Sequence, residues 1–399
     1  MQAVKIAQAQ ADTLGVRLER LELLDKFLLR LVDEDRHSFI GLRALCHGQT
    51  IFSGDYGVQR PGGGPLLPDA IYPMQSITKS ITATCAGILQ EDGLLDFYDL
   101  AVKHFPEFTG GGKDSVEIWQ LLCHTSGVDD DVAGEYAHEL AGMAKDYSNW
   151  IPALMSVRKK LGMPDAEPGD EAAQEAWDLL RLQAPLAAKP GTQFIYSGFN
   201  YDLLAKLIER ASGQTLEQFS HERIFCPLGM IDSHFALPPE KRARVVLRRD
   251  TAKGGEWMNS ESMMNNMSPG GGLKATLDDI ARFGQMWLQM GTVNGVRVLS
   301  PASVRTMTRD YNAHLPDGAW KGRYLGCNWG LGWDVKGDKI DDHGFVRSER
   351  SYNHSGYGGA TLLIEPDDDL VVAIYLVEEH EESYGDYGPA INILYSALD

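Results

Sequence analysis

The sequence lacks the cysteine pattern of a disulfide-stabilised or zinc-binding protein. Its five cysteines are an odd number at wide spacings, and no Cys-x-x-Cys pair occurs. This pattern indicates neither a disulfide framework nor a structural zinc site. Cys46, Cys85 and Cys123 lie in apolar segments, where a free thiol behaves as a small core residue. We therefore expect a reducing compartment.

Long apolar runs are also absent. No stretch approaches the roughly 18 apolar residues of a transmembrane helix, and residues 1–35 show no apolar block followed by a cleavage pattern. The formal net charge of −19 disfavours nucleic acid and anionic membranes as partners. From these observations we expect a cytoplasmic protein that binds neither.

Several common catalytic motifs are missing. No serine has a glycine two positions before it, so the Gly-x-Ser-x-Gly elbow of α/β-hydrolases is absent. No His-Glu-x-x-His occurs, and the histidines are scattered. The run 110–113 resembles a phosphate loop only superficially, because Glu107 and Asp114 replace the required glycine and hydroxyl residue. We expect neither a metal nor a cofactor.

One pair of residues can carry nucleophilic chemistry. Ser76 and Lys79 form a Ser-x-x-Lys pair at the start of a predicted helix that ends near Gly93. Residues three apart share a helix face, so the two side chains can meet. A lysine amine in that position can take the hydroxyl proton and make the serine a nucleophile. On local pattern alone, an N-cap serine is the alternative interpretation.

A second Ser-x-x-Lys pair, Ser156 and Lys159, lies in cationic surroundings and follows no strand-to-helix junction. We interpret Ser156 as a surface residue of a helix.

The apolar pattern predicts strands near both ends of the chain and helices between them. The predicted elements include an amphipathic helix over 13–33, strands over 39–46, 50–56, 328–335, 351–364 and 370–377, and helices over 171–182 and 388–398. Strands from both ends should share one antiparallel sheet, which gives an α+β fold.

The same pattern suggests a division into two domains. Residues 1–95 and 275–399 should form a discontinuous α/β sheet domain, in which helices flank the sheet. Residues 96–274 should form a mostly helical domain. Its acidic, proline-interrupted part at about 129–190 is interpreted as an insertion of mostly short helices that covers another element and has no core of its own.

Two further stretches combine tyrosine or histidine with glycine. Residues 194–201 place Tyr196 in a tight turn before a helix, and 352–359 place glycines inside a strand. A tyrosine in such a turn can direct its phenol toward a cleft, and glycines in a strand suggest the close approach of a backbone or ligand. The alternatives are a half-buried tyrosine and a bulged strand that only packs.

In order, the three stretches resemble the three motifs of the serine β-lactamase and penicillin-binding-protein superfamily. Within this superfamily, the three stretches are most similar to those of the class C β-lactamase-like, family VIII carboxylesterases. The first motif, Ser-x-x-Lys, matches at Ser76 and Lys79. The second, Tyr-x-Asn, matches at Tyr196 but has Gly198 in place of asparagine. The third, Lys-Thr-Gly, appears at 354–356 as His-Ser-Gly.

Four shorter stretches also resemble that family, namely 121–127, 227–230, 268–273 and 330–333. The similarity runs from about residue 20 to the end of the sequence and is weakest over 129–190.

The resemblance implies a fold and a mechanism. A sheet domain and a helical domain would enclose the site, and Ser76 would form an acyl-enzyme. Lys79 and Tyr196 would share general-base and proton-relay work. The backbone N–H groups of Ser76 and Tyr357 would form the oxyanion hole. The expected substrate-binding residues are His354, Ser355, Gly356, Gly198 and Asn200.

Two departures from the family pattern bear on the substrate. In β-lactamases the second-motif asparagine meets the substrate amide and the third-motif lysine meets its carboxylate, and both are absent here. This favours a carboxylesterase that acts on small to medium acyl esters, with weak β-lactamase activity at most. An amidase or peptidase on D-amino-acid substrates and an acyltransferase are alternatives, and a non-catalytic binding relative is a further one. The expected partner is thus a small-molecule ester or amide.

Overall fold

The fold is described by a computed structural model that covers residues 4–144, 147–316, 326–379 and 385–399. The strands are β1 (Val4–Lys5), β2 (Phe39–Cys46), β3 (Gln49–Gly57), β4 (Tyr72–Pro73), β5 (Lys274–Ala275), β6 (Thr292–Val293), β7 (Val296–Arg297), β8 (Asp334–Val335), β9 (Tyr352–Gly356), β10 (Ala360–Glu365) and β11 (Leu370–Leu376). The first helices are α1 (Gln8–Leu14), α2 (Leu18–Asp33), α3 (Thr78–Glu91), α4 (Ala101–His104), α5 (Ile118–Leu122), α6 (Asp130–Ala141), α7 (Trp150–Lys160) and α8 (Asp170–Gln183). The remaining helices are α9 (Phe199–Ser212), α10 (Leu216–Ser220), α11 (Cys226–Leu228), α12 (Gly255–Met258), α13 (Glu261–Met264), α14 (Leu277–Leu288), α15 (Pro301–Met307) and α16 (Tyr387–Tyr395).

A seven-stranded antiparallel sheet joins the two ends of the chain. Its strand order is β1-β3-β2-β11-β10-β9-β8. The central pairing sets β2 beside β11, with Leu42 opposite Ile374. The predicted α+β fold, with strands of both chain ends in one sheet, is therefore confirmed.

Each face of this sheet packs against helices. On one face, apolar residues of β2, β3 and β11 form a core with α2 and α16. On the other face α14 lies close to the strands, and a Cβ at Gly284 would stand 2.7 Å from Val371 and 2.8 Å from Leu362. The glycine lets this helix approach the sheet, because any larger side chain would collide with both strands.

The predicted helix over 13–33 is two helices, α1 and α2. Gly15 ends α1 in the left-handed conformation (φ 64°), and its N–H donates to the carbonyl of Ala11. Glycine adopts this conformation without steric cost and commonly closes a helix. The leucine stripe of α2 faces the core, as predicted, through Leu21, Leu24, Leu28 and Leu31.

Residues 129–190 were expected to cover another element without a core of their own, and this interpretation is wrong. Helices α6, α7 and α8 are 12, 11 and 14 residues long. They enclose an apolar cluster of Ala137, Met143, Ala153, Leu154, Val157, Ala173, Ala176 and Leu180. Pro152 lies in the first turn of α7, where a missing N–H breaks no helical hydrogen bond.

Two predicted C-terminal strands differ from the structure. The run 351–364 is two strands, β9 and β10, because Gly358 (φ 87°) and Gly359 (φ 120°) make a turn between them. Within 328–335 only β8 is a strand, since the N–H of Gly330 donates to the Trp333 carbonyl and closes a loop.

The described residues separate into two compact units. The first contains residues up to Leu95, Ile208–Ala313 and those that follow residue 321. The second contains Asp96–Leu207 and the described residues 314–316. The expected domain boundary near residue 95 coincides with the first division, whereas residues 208–274 group with the sheet. No helix among the residues that the structure describes combines the length and apolar character needed to cross a bilayer.

Candidate active site

Ser76 lies in a tight turn that precedes α3. Residues Gln75–Ile77 form a single 3₁₀ turn, and Ser76 is half-buried within it. The residue before it, Gln75, is buried and adopts a left-handed backbone conformation (φ 48°). For a residue other than glycine this conformation costs about 1–3 kcal/mol and is typical of functional sites. The N–H of Met74 donates to the Leu273 carbonyl at 2.8 Å, which holds the turn from its other side.

Lys79 lies one helical turn beyond Ser76, as the spacing predicts. Its Nζ stands 3.1 Å from Ser76 Oγ and 2.8 Å from the carbonyl oxygen of Gly270. The side chain is only 3% exposed. The structure therefore brings the serine hydroxyl and a buried amine within hydrogen-bond distance of one another.

The loop 268–273 supports this pair from outside the helix. A Cβ at Gly272 would stand 2.7 Å from the Ser268 amide nitrogen, so only glycine fits there. The Leu273 N–H donates to Thr78 Oγ1 at 3.0 Å, and Thr82 Oγ1 donates to the Pro269 carbonyl at 2.7 Å. The glycine run signals this close approach in the sequence, but the role of the Gly270 carbonyl as an acceptor was not predicted.

The third motif lies on β9, next to the Ser76 turn. A Cβ at Gly356 would stand 3.0 Å from that of Gln75, so the glycine allows β9 to approach the turn. Alternation along the strand sends Ser355 to the opposite face. There Ser355 Oγ lies 2.8 Å from His343 Nε2 and 3.0 Å from Thr361 Oγ1. The predicted role of Ser355 in substrate binding thus stays a prediction.

His354 is buried and uncharged at neutral pH. Burial, together with the positive charge of Lys79, lowers the pKa of His354 to about 3. Its Nδ1 lies 3.0 Å from the Ser355 carbonyl oxygen and therefore carries the ring proton. Its buried Nε2 has no hydrogen-bond partner among the residues described. A neutral imidazole cannot supply the positive charge with which a lysine would hold a substrate carboxylate.

Tyr196 belongs to the second unit, where His124 determines its surroundings. The two rings lie 4.4 Å apart between centroids. His124 Nδ1 accepts the Ser197 N–H at 3.1 Å, and its carbonyl accepts the Ile195 N–H at 2.8 Å. These bonds fix the backbone on both sides of the half-buried tyrosine. The contacts of His124 were not predicted, although it lies in the stretch 121–127, which resembles the family.

An aspartate occupies the space beside Gly198. Asp130 accepts hydrogen bonds from Ser197 Oγ and from the N–H groups of Gly198 and Phe199, at 2.7–2.9 Å. A Cβ at position 198 would stand 3.2 Å from this carboxylate. Asn200 is fully buried, and its side chain bonds to that of Ser126 at 2.7 Å. The Asn200 side chain is thus engaged within the second unit.

Tyr357, the second predicted oxyanion-hole residue, follows directly after β9. Its side chain is 48% exposed, and Lys253 Nζ lies 4.7 Å from the ring centroid. The outer neighbour β8 pairs with β9 only at Tyr352 and Asn353. Within the part of the chain that the structure describes, no strand covers the outer edge of β9 beyond these residues. An open edge of this kind can offer N–H groups to a carbonyl oxygen.

The described residues contain no group of three or more histidine, cysteine, aspartate or glutamate side chains that could hold a metal ion. The arrangement in the first unit is that of a serine beside an amine.

Comparisons with known proteins identify the family and the fold of the chain. A family model described as beta-lactamase matches residues 30–395. Protein Rv1367c of Mycobacterium tuberculosis (strain ATCC 25618 / H37Rv) is 28% identical over 354 residues, which cover 79% of each protein. A solved structure described as a family VIII carboxylesterase has a TM-score of 0.74 at 18% identity and covers 96% of this chain and 98% of its own. Another, described as EstCE1, a hydrolase with promiscuous acyltransferase activity, has a TM-score of 0.69 at 18% identity, with 98% and 100% covered. At these identities the two structures show a shared fold.

Proposed function

Because the chain belongs to the beta-lactamase family, we propose that it is a serine hydrolase that forms an acyl-enzyme on Ser76. We further propose that it is a carboxylesterase on small to medium acyl esters. The observation that carries the proposal is the 3.1 Å distance between Ser76 Oγ and Lys79 Nζ. In its neutral form, a buried amine in this position can accept the hydroxyl proton as the serine attacks.

The proposed reaction has two halves. Ser76 Oγ attacks the ester carbonyl, and its proton passes to Lys79 or, through it, to Tyr196. The N–H groups of Ser76 and Tyr357 stabilise the negative oxygen of the tetrahedral intermediate. Collapse of that intermediate breaks the ester bond, and the leaving alcohol takes the proton back. A water molecule then repeats the attack on the acyl-enzyme and frees Ser76.

Two features favour an ester over a β-lactam as substrate. His354 is neutral, so it offers no positive charge to a carboxylate. Gly198 has no side chain with which to meet a substrate amide. Each missing polar contact is worth about 1–3 kcal/mol, so two of them lower β-lactam turnover by orders of magnitude.

The test is a comparison of p-nitrophenyl butyrate and nitrocefin as substrates. We expect the wild-type protein to hydrolyse the ester with a kcat/KM at least about 30-fold above that for nitrocefin, the smallest ratio that two lost contacts of about 1–3 kcal/mol imply. Initial rates of both substrates, recorded by absorbance with the same enzyme preparation, measure this ratio. Equal or faster nitrocefin turnover would contradict the ester preference and favour a β-lactamase.

Transfer of the acyl group to an alcohol is a second candidate activity, because it uses the same acyl-enzyme. The similarity to a hydrolase described as having promiscuous acyltransferase activity supports it. Butyl ester formed when butanol is added to the ester assay would reveal it.

Replacement of Tyr196 by phenylalanine tests the proton relay. Removal of the hydroxyl leaves the ring in contact with His124, so the fold should persist. We expect kcat/KM for p-nitrophenyl butyrate to fall about 100- to 1,000-fold, as for the loss of a general acid or base. The melting temperature should stay within about 2 °C, the shift that a change of half a kcal/mol produces.

Tyr201→Phe is the matched control for this variant. Tyr201 lies in the same unit, is fully buried, and bonds through its hydroxyl to the Leu122 carbonyl at 3.1 Å. Its replacement should lower stability by about 1 kcal/mol and leave kcat/KM nearly unchanged. If both variants lost activity equally, Tyr196 would have no special role.

A further inference from the structure

Arg248 is a buried cation that pairs with no carboxylate of the described residues. Only 2% of the residue's surface is exposed to solvent. Nη1 donates to the Lys253 carbonyl at 2.8 Å, and Nη2 donates to the hydroxyl of Tyr375. Among the residues that the structure describes, no carboxylate forms an ion pair with it. Burial of a charge without an opposite charge opposes folding. Stability therefore does not explain why an arginine occupies this position.

The guanidinium group lies against the turn that follows β9. A Cβ at Gly358 would stand 3.1 Å from Arg248 Cζ, and Gly358 itself adopts a left-handed conformation (φ 87°). Gly358 directly follows Tyr357, and two residues earlier Gly356 packs on Gln75 beside Ser76. Arg248 therefore stands behind the strand end that we propose as one half of the oxyanion hole.

A second cation near this turn is already paired. Lys253 lies over the Tyr357 ring, but its Nζ forms an ion pair with Glu378. Of these two cations, Arg248 is the one without an ion pair to a described carboxylate. In a buried environment such a charge acts over several ångströms with little screening.

We propose that Arg248 is a positioning residue for ester hydrolysis, which acts through the Gly358 turn. It holds the Tyr357 N–H in place, and its charge stabilises the negative oxygen that develops on the substrate carbonyl. This inference rests on the proposed function. Arg248 is distant in sequence from the three motifs, in a part of the chain for which they predict no function.

Substitution of Arg248 should affect stability and activity differently. In Arg248→Met a chain of similar length removes an unpaired buried charge but also the donor to the Lys253 carbonyl and the Tyr375 hydroxyl. These two effects oppose each other, so the melting temperature should change little. The kcat for p-nitrophenyl butyrate should fall about 10- to 100-fold, somewhat less than for the loss of a direct oxyanion donor. KM should change by less than about twofold, because the effect arises in the transition state.

The experiment compares wild type, Arg248→Met, Arg248→Lys and Arg249→Met. Arg249 is the matched control: it carries the same charge one position later but is partly exposed and pairs with Asp35. For each variant we would measure kcat, KM, melting temperature and the inhibition constant of n-butylboronic acid. This inhibitor forms a tetrahedral anion on an active-site serine and so resembles the intermediate. We expect Arg248→Met to weaken inhibition by the same factor as kcat, Arg248→Lys to recover part of both, and Arg249→Met to change neither.

Two outcomes would overturn the proposal. One is Arg248→Met with full kcat and full boronic acid affinity. The other is a variant that loses melting temperature and activity together, with no recovery in Arg248→Lys, which would make Arg248 a structural residue. Failure of the proposed function is distinguishable, because wild type itself would then show no turnover that depends on Ser76.

Discussion

Replacement of Ser76 by alanine should lower the hydrolysis of p-nitrophenyl butyrate by at least about 10⁴-fold, the usual loss when a serine nucleophile is removed. The serine lies at the start of α3 with Lys79 Nζ 3.1 Å from its hydroxyl. Alanine removes the attacking atom but none of the backbone contacts of the turn. The fold should therefore persist, and circular dichroism would verify it. Mass spectrometry should detect an adduct of a slow acylating ester on wild type and none on Ser76→Ala.

The chain supplies its own control for this experiment. Ser156 and Lys159 repeat the Ser-x-x-Lys spacing on α7, where both are exposed, as predicted for a surface helix. Ser156→Ala should keep full activity and full adduct formation. An Ser76→Ala protein that retained wild-type turnover would remove Ser76 from the mechanism.

Replacement of Lys79 by alanine should have the second largest effect, about a 10³- to 10⁴-fold loss of kcat/KM for the same ester, at the upper end for a general base. Its amine bridges Ser76 Oγ and the Gly270 carbonyl, so its loss leaves the hydroxyl without a proton acceptor. The Gly270 carbonyl is then left without this donor, which should lower stability by about 1–3 kcal/mol. Stopped-flow measurement of acylation would show that the first half-reaction is slowed.

A small external amine provides a sharper test of Lys79. Methylamine fits the space that the alanine leaves and should restore part of the activity of Lys79→Ala but none of that of Ser76→Ala. Lys159→Ala, in the second Ser-x-x-Lys pair, should behave as wild type. If methylamine failed to restore activity and Lys79→Arg were fully active, the amine would serve as a charge and not as a base.

The family and the sheet could be predicted from the sequence because their signals are local. The Ser-x-x-Lys spacing, the period of α3 and the strand-like runs of β2 and β3 each arise within a few residues. The order of three short motifs then suggested the family, and the match over 30–395 confirms it.

Other features depend on residues that are distant in sequence. The left-handed conformation of Gln75 is held by contacts with Gly356 and the loop 268–273, which no local pattern reveals. The low pKa of His354 arises from burial, which is a property of the folded chain. Arg248 looks like any charged residue of a polar segment until its partners are known.

The core of α6, α7 and α8 shows the limit of composition as a guide. The segment is acidic and contains several prolines, so it was expected to pack on another element. Half of the buried residues of this cluster are alanines on helix faces, such as Ala137, Ala173 and Ala176. These small side chains form a core because they allow the helices to approach closely, and a count of large apolar residues overlooks them.

The pairing of β2 with β11 has a consequence for how the protein folds during its synthesis on the ribosome. Translation produces Phe39–Cys46 early, but its neighbour in the sheet, Leu370–Leu376, emerges only after most of the chain. Until then the nascent chain exposes a strand edge, and such edges associate with other chains. The Ser76 turn packs against β9, which is also synthesised late. The packing around the proposed nucleophile is thus complete only when synthesis has passed the third motif, so incomplete translation products carry Ser76 without the strand that packs against its turn.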